Sequence, residues 1–209
     1  MAKEILRIGG GESLFGKVTV HGAKNAVLPM LAASVLTQSP VTVRDCPLIS
    51  DVDDMILVLR ALGVSAVRDG RNVTVSGAPS LTEIPAHLAC AMRSSVFMLG
   101  ALLAECGEVR LFAPGGCRIG ARPLDIHFDG FSRLGAEVEY GEDYVRCTAD
   151  RLRGADIVLK YPSVGATENI ILAAANAKGT TLIRNAAKEP EIVDLQGFIN
   201  RLGGRGHGA

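Results

Sequence analysis

A chain of 209 residues, 48% hydrophobic and 21% charged with no low-complexity tract, can bury a substantial core as one large or two small domains. Lysine plus arginine balance aspartate plus glutamate at 22 each, so no global field draws the molecule to nucleic acid or to an anionic membrane. Aromatics at 4% and the lack of tryptophan argue against a base-stacking platform, and no apolar run reaches the roughly 18 residues of a membrane span. The N-terminal stretch MAKEILRIGG has no apolar run long enough for a signal peptide, and five widely spaced cysteines without a C-x-x-C pair indicate neither a disulfide framework nor a zinc site. A cytoplasmic protein without a metal is expected.

In chain order, ILRIGGGESLFGKVTV at residues 5–20 predicts two short strands joined by a glycine turn, with no evident partner strands. Residues 26–77 then predict a helix (AVLPMLAASVL), a strand (VTVRDC), a second helix (DDMILVLRALG), and a hairpin of SAVRD and NVTVSG across Gly70-Arg71. Residues 94–149 repeat that order with SSVFMLGALLAECG, EVRLFAP, LDIHFDGFSRLG, and the pair AEVEY and YVRCTA. Residues 167–209 begin it a third time with TENIILAAANAKG, TTLIRNA and IVDLQGFINRLG, and continue as GRGHGA, a linker composition, where a third hairpin would stand.

Gly63, Gly135 and Gly203 follow the last apolar residue of each second helix and read as left-handed caps. Asp54, Asp125 and Asp194 read as first-turn carboxylates of those helices. Three units, each with its own apolar stripe, bury one another's faces around a common axis, so the expected class is α/β in pseudo-threefold repetition, with the third unit incomplete.

The chemistry concentrates in two stretches. In PGGCRIGARPLDIH, Gly115 and Gly116 let the backbone turn sharply before Cys117, and Arg118 and Arg122 bring positive charge that favours loss of its thiol proton. The competing reading is a glycine-rich loop with a buried, inert cysteine. In HGAKN, Asn25 can cap the helix that follows, with Pro29 near its first turn, and Lys24 stands beside the positive helix end, a suitable pocket for phosphate or carboxylate. The competing reading is a capped helix with a solvated lysine. Arg93 opens the equivalent helix of the second unit and Ser163-Val164-Gly165-Ala166-Thr167 that of the third, so three helix starts can converge.

The segments GGxxLxGxVxVxGAKNAxLPxLAA (residues 10–33), PGGCxIGARPLDIH, SVGATENI and NAAKEPEIVDLQ resemble the UDP-N-acetylglucosamine 1-carboxyvinyltransferases, enolpyruvyl transferases of peptidoglycan synthesis. The resemblance implies an inside-out α/β domain of three similar units over residues 21–203. It also implies that residues 1–20 are strands that pack with a second domain, and that residues 204–209 lead toward that domain. It implies that Lys24, Asn25, Arg93 and Arg122 hold phosphoenolpyruvate, with Lys24 also catalytic, and that Cys117 donates a proton to the enolpyruvyl methylene. Arg93, Arg122, Pro123, Leu124, Asp125 and Ile126, followed by His127, then line the uridine diphosphate sugar, with Lys160, Ser163, Val164 and Gly165 as a further strip. The implied partners are phosphoenolpyruvate and UDP-N-acetylglucosamine, with no metal or organic cofactor. In that family a second domain supplies the general base and the wall that closes the site, and roughly half of the family's length lies beyond this chain. A second polypeptide supplying that half, a non-catalytic UDP-sugar-binding fragment, a truncated product and a shikimate-pathway transferase are the alternatives.

Overall fold

The computed structural model describes residues 6–11, 13–91, 93–112 and 124–209, without the side chains of residues 90, 91, 93 and 94. The first unit holds α1 (Lys24–Ala33), a 3-10 turn (Ser34–Leu36), β1 (Val41–Val43), α2 (Ser50–Ala61), β2 (Ser65–Asp69) and β3 (Asn72–Ser76). The second holds β4 (Glu83–Ile84), α3 (Ala86–Ala91), a 3-10 turn (Arg93–Val96), α4 (Phe97–Cys106), β5 (Glu108–Phe112), α5 (Asp125–Arg133), β6 (Glu137–Tyr140) and β7 (Tyr144–Thr148). The third holds β8 (Asp156–Val158), α6 (Val164–Ala174), β9 (Leu182–Arg184) and α7 (Pro190–Arg201).

Strand pairing bears out the repeat. β1 pairs antiparallel with β3, Val41 opposite Val75, as β5 pairs antiparallel with β7, Val109 opposite Cys147. The sheet orders β1-β3-β2 and β5-β7-β6 are therefore equivalent. The structure adds what periodicity missed: β4 runs parallel to β5 and β8 parallel to β9, so a short strand opens the second and third units. Strands of two and three residues are too short to show an alternating pattern.

α1, α4 and α6 form the centre. α4 is buried from Met98 through Leu103 without interruption, and α1 and α6 are buried on more than one face, as helices surrounded by protein must be. α7 is one-sided, burying Ile192, Leu195 and Ile199 at helical spacing. Gly100 and Asn169 set the crossing of α4 and α6: a Cβ at Gly100 would run into the Asn169 carbonyl oxygen, and the Gly100 N–H donates to Asn169 Oδ1 at 2.9 Å. Gly63, Gly135 and Gly203 have φ of 87°, 93° and 104°, the left-handed caps expected.

Four expectations are corrected. Residues 6–11 and 13–20 form no strand, and Leu6, Ile8, Leu14, Phe15, Val18 and Val20 are each more than 80% exposed, because no neighbouring sheet receives them. Asn25 does not cap α1; Ala23 is the cap residue and makes no side-chain cap bond, and Pro29 lies inside the helix beyond its first turn. Of the three aspartates only Asp125 sits in a first turn, since α2 and α7 start earlier than expected and place Asp51, Asp53 and Glu191 there instead. The glycine-rich end is not an open linker: Asn200 exchanges two hydrogen bonds with Gly206, and the Ala209 N–H donates to Gln196 Oε1, folding it along α7.

Candidate active site at the helix starts

Short-range bonds draw the starts of α1, α5, α6 and α7 together. Asn25 on α1 donates from Nδ2 to Glu191 Oε1 on α7 at 3.1 Å. The Ala187 N–H, in the lead-in to α7, donates to Thr167 Oγ1 in the first turns of α6 at 3.1 Å. Lys160, ahead of α6, lies 3.8 Å from Asp125 Oδ2 at the start of α5. His127 of α5 packs on the backbone of Gly165, where a Cβ would meet its ring at 3.4 Å.

Ser163 caps α6, its Oγ accepting from the Ala166 N–H, and the Thr167 hydroxyl donates to the Ser163 carbonyl. Val164 and Gly165 follow as the first residues of the helix, half-buried. Their amides belong to the first turn, whose N–H groups lack intrahelical acceptors and face an anion favourably. Leu124 precedes α5 as its cap residue, Asp125 is exposed as the first helical residue, and Ile126 is buried under it. His127 is buried and neutral: burial pulls its pKa down to about 4 against a smaller opposing effect of Asp125. Its ring lies against Gly165.

Lys24 is not aimed at an open pocket. Its ammonium lies 2.8 Å from Asp51 Oδ1, at the start of α2, with both side chains partly exposed. Such a pair contributes about 0–1 kcal/mol, so an incoming anion can compete for the lysine. The loop before α1 is held on the first unit: Gly22 N–H donates to Asp45 Oδ2 at 3.2 Å, and a Cβ at Gly22 would collide with the Asp45 carbonyl oxygen. Asp45 and Asn185, both at φ 55°, occupy equivalent turns after β1 and β9. Asp and Asn are the side chains that tolerate this conformation best after glycine.

The structure thus brings together Asn25, Leu124, Asp125, Ile126, Lys160, Ser163, Val164 and Gly165, with Lys24 beside Asn25. Cys117, Arg122, Pro123 and the side chain of Arg93 lie outside the described residues. Sequence reasoning missed Asp51 and Glu191 as partners of Lys24 and Asn25, because contacts 27 and 166 residues away carry no local signal. It also missed Glu168, a carboxylate on α6 that is 1% exposed between the buried Thr167 and Asn169, because local sequence does not show which polar residues of a helix face inward. Among the described residues no group of three or more His, Cys, Asp or Glu side chains is placed to hold a metal, and no helix is long and apolar enough to cross a membrane.

Comparison with known proteins shows the family. A UDP-N-acetylglucosamine 1-carboxyvinyltransferase 2 of Caldanaerobacter subterraneus subsp. tengcongensis is 49% identical over 204 residues, covering 97% of this chain and 49% of the relative. A UDP-N-acetylglucosamine 1-carboxyvinyltransferase 1 of Symbiobacterium thermophilum is 47% identical over 210 residues, covering 97% and 47%. The chain spans about half the length of these curated relatives. Among solved structures, the enolpyruvyl transferase NikO from Streptomyces tendae matches with a TM-score of 0.80 at 27% identity, over 93% of this chain and 46% of that one. An EPSP synthase from Acinetobacter baumannii shares the fold with a TM-score of 0.65 over 85% of this chain and 42% of its own. The family model for EPSP synthase (3-phosphoshikimate 1-carboxyvinyltransferase) matches residues 8–206, nearly the whole chain, and with the fold in agreement this protein belongs to that family of enolpyruvyl transferases.

Proposed function

We propose that this chain is the sugar-nucleotide-binding half of a transferase that moves the enolpyruvyl group of phosphoenolpyruvate to the 3'-hydroxyl of UDP-N-acetylglucosamine. The observation that carries the reading is the gathering of four helix starts by the Asn25–Glu191, Ala187–Thr167 and Lys160–Asp125 contacts. A site made of helix-start amides with lysines at its rim suits a substrate pair bearing a diphosphate and a phosphate ester. In this reading Lys24, Asn25, Arg93 and Arg122 take phosphoenolpyruvate, and Arg93 also reaches the sugar nucleotide. Arg122, Pro123, Leu124, Asp125 and Ile126 line the uridine and diphosphate with Lys160, Ser163, Val164 and Gly165. The sugar 3'-hydroxyl gives its proton to a base of the second domain as its oxygen bonds to the enol carbon, while Cys117 protonates the methylene. Loss of a methyl proton then restores the double bond as inorganic phosphate leaves.

The sugar-nucleotide assignment is favoured by the names of the relatives at 46–49% identity. The deciding experiment is calorimetry of the chain with UDP-N-acetylglucosamine and, separately, with shikimate 3-phosphate. Heat with the first alone is expected; heat with the second alone overturns the substrate assignment, and heat with neither rejects binding by this chain. Phosphate release from phosphoenolpyruvate by 1–209 is expected to stay below detection until a separately made second domain supplies the base, whose loss typically costs about 10²- to 10⁴-fold. Robust turnover by 1–209, abolished in Cys117→Ala, would show that this half suffices.

A further inference from the structure

Asp45 and Asn185 are the two non-glycine residues at positive φ among the described residues. They follow β1 and β9, equivalent strands of the first and third units, and the corresponding turn after β5 lies outside the described residues. A left-handed residue other than glycine costs free energy and persists where its surroundings require it. Here each side chain leaves its turn and bonds the backbone that leads into a helix start. Asp45 Oδ2 accepts from the Gly22 N–H at 3.2 Å, and Asn185 Nδ2 donates to the Leu159 carbonyl at 2.9 Å.

Both turns are anchored from behind. The buried Cys46 donates its N–H to the Arg71 carbonyl at 2.7 Å, and Asp45 Oδ1 lies 3.6 Å from His21 Nδ1 and 3.8 Å from Arg71 Nη1. In the third unit the buried Ala187 donates its N–H to Thr167 Oγ1, and the Leu159 N–H donates to the Arg184 carbonyl at 3.0 Å. Leu159 is therefore gripped at both of its backbone groups by Arg184 and Asn185. The leads so held are short. Gly22 is followed by Ala23, the cap residue of α1, and by Lys24, its first residue; Leu159 is followed by Lys160, and Ser163 caps α6.

Resting on the function proposed above, we infer that Asp45 and Asn185 are matching positioning residues. Asp45 sets the lead into α1, and through it Lys24 and Asn25 for phosphoenolpyruvate; Asn185 sets the lead into α6, and through it Lys160 and the Ser163 to Gly165 strip for the sugar nucleotide. The two bonds run in opposite senses, an acid accepting from an N–H and an amide donating to a carbonyl. Asp and Asn supply both requirements, tolerance of left-handed backbone and a short polar side chain. Asparagine at 45 retains an acceptor oxygen, whereas aspartate at 185 replaces the donor by a second acceptor facing the Leu159 carbonyl. Glycine adopts the φ of 55° without steric cost and lacks the bond, so it removes the contact while keeping the turn.

The test has one readout without ligand and one with it. In the full chain labelled with ¹⁵N, backbone order parameters of Gly22 and Lys160 report the two leads. The Gly22 value is expected to fall in Asp45→Gly and to hold in Asp45→Asn; the Lys160 value is expected to fall in both Asn185→Gly and Asn185→Asp. Values unchanged in the glycine variants overturn the positioning contacts. Calorimetry then reads the site. UDP-N-acetylglucosamine affinity is expected to fall about five- to tenfold in Asn185→Gly, the worth of one hydrogen bond, and to hold in Asp45→Gly. Phosphoenolpyruvate affinity, with UDP-N-acetylglucosamine present, is expected to fall by a similar factor in Asp45→Gly and to match the wild type in Asp45→Asn. Equal losses for both ligands in both glycine variants, or an equal loss in Asp45→Asn and Asp45→Gly, overturn the inference in favour of a merely structural role. Absence of binding by the wild type rejects the function proposed above, and with it the link to ligand, while the order parameters still decide whether the two side chains hold their leads.

Discussion

At the scale of residues, two buried groups pull stability in opposite directions as pH changes. His127 titrates at about 6.5 when unfolded and about 4 when folded, so the unfolded chain binds more protons between these values and stability is lost as pH falls through them. Glu168 goes from 4.5 unfolded to about 8 folded, so the folded chain binds more protons and stability is lost as pH rises through that window. Each shift corresponds to roughly 3–5 kcal/mol at full extent. The slopes offset one another between pH 4.5 and 6.5, and the Glu168 slope stands alone from 6.5 to 8. Denaturant unfolding at stepped pH should therefore show a decline toward pH 8 in the wild type, and in Glu168→Gln a rise up to about pH 6.5 followed by a plateau. Parallel curves for the two proteins would contradict the assignment. Cysteine reactivity is a second residue-scale expectation. Burial pushes the Cys147 thiol up to about 12, raises Cys46 despite the nearby Arg68, and raises Cys106 together with Glu105. Brief alkylation at neutral pH is expected to label Cys117 first, read by peptide mass mapping; labelling spread evenly or led by any of the other four cysteines would exclude the reactive-thiol role.

At the scale of elements, the crossing of α4 over α6 has no room for an added Cβ. Gly100 has backbone oxygen where a Cβ would go, whereas an added Cβ at Gly197 on α7 meets nothing within 4 Å. Gly100→Ala is expected to destabilise by about 1–3 kcal/mol through overpacking. Gly197→Ala should be neutral or stabilising by up to about 1 kcal/mol, the helix propensity gained. Urea midpoints of the two variants check this, and equal midpoints would show that α4 and α6 shift apart without cost. The same crossing fixes Asn169 one residue from Glu168, so tight packing sets where the buried carboxyl lies in the cluster of helix starts.

At the scale of the whole molecule, the apolar arm before His21 contrasts with the core. Six large apolar side chains from Leu6 to Val20 are almost fully exposed, while α1, α4 and α6 are buried on several faces. An arm with valines and leucines and no paired strand is a site for association. Limited proteolysis is expected to cut within residues 6–20 first, leaving a fragment from about residue 21 with an unchanged unfolding midpoint and less self-association by light scattering. Early cleavage inside α4 or α6 instead would show that the three units do not form one core.

The sequence by itself determined the three-unit repeat, the glycine caps at 63, 135 and 203, the hairpins and the helix start at Ser163, because each rests on bonds or periodicities within a few residues. Motif resemblance also carried the family. Only the tertiary structure decided that Asn25 bonds Glu191, that Lys24 rests on Asp51, that His127 and Glu168 are buried, and that β4 and β8 open their units. It also left residues 6–11 and 13–20 unpaired where the sequence predicts strands. A strand requires a partner edge, and a buried charge is defined by what surrounds it; both are properties of the assembled fold and cannot be read from a local stretch of residues.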